Sequence, residues 1–90
     1  TAATWKPVTD FLSCTTASPD GRTAIRVTRE CSCGETLACS ATLGAHGKLQ
    51  LAVKYDPDSP AMCTDCYATH SACTVPAATP PASLPPRCTP

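Results

Sequence analysis

Apolar residues recur at every second position through much of the chain. In residues 48–55, Leu49, Leu51 and Val53 share one face, while Lys48, Gln50 and Lys54 take the other. A strand points successive side chains to opposite faces, so this period of two predicts a half-buried strand, the clearest in the sequence. Leu37, Cys39, Ala41 and Leu43 alternate in the same way. Gly44 and Gly47 bracket a four-residue break between the two segments, and the three together read as a β-hairpin. Upstream, Ile25, Val27, Arg29 and Cys31 form one face, with Arg26 and Thr28 opposite. This pattern would place Cys31 and Cys39 on one core face. A weaker alternation, Val8, Asp10, Leu12 and Cys14, precedes the turn sequence Ser18-Pro19-Asp20-Gly21.

After the break Asp56-Pro57-Asp58-Ser59-Pro60, residues 67–75 fit a last strand. A short helix over 61–71 fits the composition about as well. The remainder, residues 76–90, carries a proline every few positions, which favours an extended, polyproline-like path. The predicted fold is therefore small, disulfide-rich and mainly β. It is a three- to five-stranded antiparallel meander in a single domain spanning 1–90, with a proline-rich C-terminal segment tied down by Cys88.

Size makes the cysteines matter. The chain has 90 residues and four aromatic side chains: Trp5, Phe11, Tyr55 and Tyr67. A domain this short buries too little apolar surface to depend on its core alone. It holds 8 cysteines, an even number spread from Cys14 through Cys31, Cys33, Cys39, Cys63, Cys66 and Cys73 to Cys88. That density in a small chain points to a disulfide framework formed in an oxidising compartment. Because Cys31 and Cys33 lie two apart, their sulfurs are expected to reach different partners. The sequence opens at Thr1 with no apolar leader before it, which fits either a mature secreted protein whose signal peptide has been removed or a trimmed piece of a longer chain. Seven acids balance seven bases, which disfavours a nucleic-acid binder or a cationic membrane peptide. No apolar run is long enough to span a bilayer. Asparagine does not occur, so N-glycosylation has no acceptor.

Several residue groups invite a chemical reading. Cys63-x2-Cys66-x3-His70-x2-Cys73 has ligand types suited to tetrahedral zinc, but such a site would leave Cys14 and Cys88 unexplained. Cys63-Thr64-Asp65-Cys66 matches the spacing of thiol–disulfide exchange, without the βαβ context which that chemistry uses. His46 and His70, with Glu30, Glu35, Arg26 and Arg29 nearby in the pattern, could in principle serve acid–base cleavage of RNA. Few aromatics are present to stack a base, however. The expectation is no enzyme and no cofactor.

The function expected is that of a secreted, cysteine-rich binding protein of the effector, toxin or signalling-ligand type. Its partner would be an extracellular or cell-surface protein. Loops held on a cross-linked scaffold lose little entropy on binding, so the tentative binding residues are Ala45 and His46 in one loop, and Asp58 and Met62 in another. The alternatives are a protease inhibitor presenting Met62 or Arg22 on an extended loop, a small secreted hydrolase, and a zinc module.

Overall fold

A computed structural model describes residues 4–58 and 65–89. Among the described residues there are six strands: β1 (Lys6–Pro7), β2 (Leu12–Ala17), β3 (Thr23–Ser32), β4 (Leu37–Leu43), β5 (Leu49–Tyr55) and β6 (Tyr67–Thr74). All their pairings are antiparallel, and the fold is mainly β and disulfide-rich. The strands divide between two three-stranded sheets, ordered β1–β5–β4 and β2–β3–β6.

The period-two faces set the core between the sheets. Leu37 and Val53 from the first sheet and Ile25, Val27 and Cys73 from the second are buried together with Val8. Phe11, Cys39, Ala41, Leu49, Leu51, Tyr55 and Val75 pack around them. The β4–β5 hairpin forms as its alternation predicted, with Leu37 opposite Tyr55 and Leu43 opposite Leu49. Residues 67–74 are strand, so the helical alternative over 61–71 fails where it overlaps β6.

Two expectations from periodicity are corrected. Val8 and Leu12 do not share a face of one strand. The chain breaks between β1 and β2, leaving Val8 at 6% exposure and Leu12 at 61%. Cys31 also leaves the core face. A register shift between Arg29 and Ser32 inserts an extra residue, and Cys31 takes a positive φ of 58°. Such a bulge reverses the alternation beyond it, so Ser32 is buried and Cys31 exposed. The Ser32 hydroxyl is satisfied there, lying 3.1 Å from Thr69 Oγ1 and accepting from Gly34 N at 3.3 Å.

Disulfides join elements that the ladders leave separate. Cys39–Cys73 connects β4 in one sheet to β6 in the other. Cys31–Cys66 ties the bulge to the start of β6. Cys14–Cys88 holds the C-terminal segment against β2, as Cys88 was expected to do. Cys33 is disulfide-bonded as well, and its partner is not Cys66. Cys63 lies outside the described residues.

The proline-rich segment covers the outer edge of β2. Thr15 N donates to Pro86 O at 2.8 Å, Cys88 N to Thr15 O at 3.0 Å and Thr15 Oγ1 to Pro85 O at 2.6 Å. Proline lacks an N–H but keeps its carbonyl, so Pro85 and Pro86 act here only as acceptors. An uncovered strand edge is a template for pairing with other chains, and this segment occupies it. Where Arg29 leaves the sheet interior, its guanidinium sits 5.0 Å from the Tyr55 ring centroid, 3.8 Å from Asp10 and 4.0 Å from Glu35. It thereby clips β3 to β5 at the rim of the core.

Candidate functional site

The loop residues singled out by sequence are placed apart. Ala45 and His46 are exposed in a single 3-10 turn, Ala45–Gly47, at the start of β5. Gly44 N closes that turn onto Lys48 O at 2.7 Å. Asp58 is exposed beyond the far end of β5, where its amide donates to Asp56 Oδ1 at 3.0 Å. The seven residues of β5 lie between them, roughly 20 Å at strand rise. Met62 falls outside the described residues. Ala45, His46 and Asp58 therefore do not form one continuous surface.

The chemical readings of the cysteine cluster meet the observed pairing. Cys66 bonds Cys31 and Cys73 bonds Cys39, so neither sulfur is a thiolate. Zinc ligation by that cluster and exchange through Cys63-x2-Cys66 both require those thiolates. Arg22, one inhibitor anchor considered, sits at the close of a tight turn. Ser18 N donates to Arg22 O at 2.8 Å, and Arg22 pairs with Asp20 at 3.8 Å. The turn is not the extended loop that an inhibitor presents.

The outer face of β2–β3–β6 does bring functional groups together. Leu12 lies opposite Thr28, and Thr28 opposite His70, giving one cross-strand row. The next row is Cys14, Arg26 and Ala72. Thr28 Oγ1 lies 3.0 Å, and Arg26 Nη2 3.3 Å, from His70 Nδ1. An imidazole nitrogen presents a single lone pair. When Nδ1 accepts from one of these donors, the other is left seeking a further acceptor. Arg26 and His70 are exposed. A groove beside them is lined by Leu12, Cys14, Arg26, Thr28, Glu30 and Arg87.

The polar half of this face was legible, because Arg26 and Thr28 were assigned opposite the core. The proximity of His70 was not, since it depends on the β3–β6 register. No helix of the described residues is long and apolar enough to cross a membrane. Comparison with protein-family models, curated proteins and solved structures finds no match to this chain.

Proposed function

We propose that this chain is an extracellular binding protein, of the effector, toxin or signalling-ligand kind, and that it recognises a protein partner. One observation carries the reading. Disulfides lock β4 to β6, the bulge to β6 and the C-terminal segment to β2, while Arg26, Thr28 and His70 stand on the solvent side of the second sheet. Side chains on a pre-ordered scaffold lose little freedom when they meet a partner, which suits recognition. The balanced charge of seven acids and seven bases leaves specific contacts, not bulk electrostatic capture, as the driver. Disulfides of this density belong to an oxidising compartment, which supports secretion.

The test is binding of the fluorescently labelled, fully oxidised protein to cells displaying candidate extracellular proteins. Saturable binding that disappears when the cell surface is shaved with protease, and when the labelled protein is reduced, supports the reading. Hydrolysis of RNA by the pure protein, abolished by His70→Ala, would replace it with the hydrolase alternative.

A further inference from the structure

We propose that the outer face of β2–β3–β6 is the docking surface, and that Arg26 there receives an acidic side chain of the partner protein. The proposal rests on the binding-protein reading and names the chemistry of its site.

The first support is the distribution of charge partners. The chain has four arginines. Arg22 pairs with Asp20, and Arg29 with Asp10 and Glu35. Arg26 and Arg87 have no carboxylate partner among the described residues, and both line the same groove. A guanidinium has five N–H donors in a planar fork that matches a carboxylate. The contact with His70 Nδ1 accounts for one nitrogen of Arg26 and leaves the rest of the fork to solvent.

Placement on the sheet is the second support. The cross-strand neighbours of Arg26 are Cys14, committed to Cys88, and the small Ala72. Neither is bulky enough to cover the guanidinium. His70 stands beside it, and Thr28 holds that imidazole from the same row. Glu30 lies farther along the same face of β3, roughly 13 Å from Arg26 at strand rise. It repels an incoming carboxylate at that end and so directs it toward Arg26 and Arg87.

The third support is apolar. Leu12, exposed at 61%, heads the outer-face row containing Thr28 and His70. An exposed leucine beside an unpaired arginine suits a protein segment in which an acidic residue neighbours an apolar one, and fits a free anion poorly.

The experiment has two arms. In the first, NMR follows the Arg26 side chain and the His70 ring while the oxidised protein is titrated with three probes. These are an acetylated peptide alternating leucine and glutamate, its glutamine counterpart, and inorganic phosphate. Saturable shifts with the glutamate peptide alone, absent in Arg26→Gln and retained in Arg22→Gln, are expected. Equal shifts with the glutamine peptide, shifts with phosphate alone, or no shift overturn the proposal. The second arm repeats the cell-surface binding with Arg26→Gln, whose amide spectrum verifies the fold. A loss of about tenfold or more in affinity is expected from removing a charged hydrogen bond. Undiminished binding overturns the site and leaves the binding-protein reading standing. Absence of binding by the unaltered protein overturns that reading itself.

Discussion

Replacing Cys14 and Cys88 with serine tests how far cross-links substitute for core. The two cysteines are 74 residues apart, and closing an isolated loop of that length in the unfolded chain corresponds to about 4.5 kcal/mol. The other bridges reduce this. With Cys31–Cys66 intact, the covalent path from Cys14 to Cys88 through that bond shortens to about 40 residues, and the expected contribution falls to about 4 kcal/mol. A chain of this length has a net stability on the order of 5–13 kcal/mol, so the loss is a large fraction of the whole. Three hydrogen bonds between Thr15 and residues 85–88 survive the substitution. At about 1 kcal/mol each, they do not offset the entropy of ordering the proline-rich segment. The double variant should therefore lose about 3–4 kcal/mol in urea unfolding followed by circular dichroism. Amide exchange at position 88 and at Thr15 should accelerate before that of the core strands. A loss below about 1 kcal/mol with an unchanged urea slope would refute the reasoning, because the cross-link would then not be restricting the unfolded chain.

Three further outcomes are expected. Replacing Cys39 and Cys73 with alanine should cost more than the Cys14–Cys88 change. With Cys31–Cys66 intact the covalent path between Cys39 and Cys73 is only about 15 residues, a loop term of about 3 kcal/mol. The change also removes a side chain only 6% exposed at the junction of the sheets, which adds about 1–2 kcal/mol; equal or smaller loss in the same urea assay would count against this. Arg29→Leu should cost about 1–2 kcal/mol, by removing the Tyr55 ring contact and leaving the partly buried Glu35 carboxylate with the Cys33 amide but without its counter-charge, and a double-mutant cycle with Tyr55→Leu should show coupling. Asp20 should titrate below its ordinary 3.8, because the Ser18 hydroxyl and then the Arg22 amide hydrogen-bond its carboxylate. Its contribution to the β2–β3 turn is thus complete above 3.8 and is lost as pH falls through the lower folded value, and Ser18→Ala should raise the midpoint in an NMR titration.

The alternation of Ile25, Val27 and Arg29 against Arg26 and Thr28 was legible because it depends only on residues two apart in the chain. So was the β4–β5 hairpin, whose break at Gly44 and Gly47 lies between matched faces. The bulge was not: Cys31 is not a glycine, and nothing in Arg29-Glu30-Cys31-Ser32 announces a positive φ. The separation of Ala45 and His46 from Asp58 could have been read, since the strand recognised over 48–55 lies between them. Disulfide pairing and sheet partition depend on contacts distant in sequence, and local pattern carries no record of them.

The same distinction explains how His70 comes to meet Arg26. A period of two assigns a residue to a face but not to a neighbour, and a one-residue slip in β6 would turn His70 inward and bring Cys73 to the surface. The bond from Cys73 to Cys39 forbids that slip, because Cys39 packs at the core on the other sheet. With Cys73 held inward opposite Ile25, the strand's alternation puts His70 outward, opposite Thr28 and within reach of Arg26. The cross-link that joins the two sheets therefore also selects which side chains the second sheet shows to solvent. Reduction of Cys39–Cys73 should disperse the Arg26–Thr28–His70 cluster along with the core, although none of the three belongs to that bond.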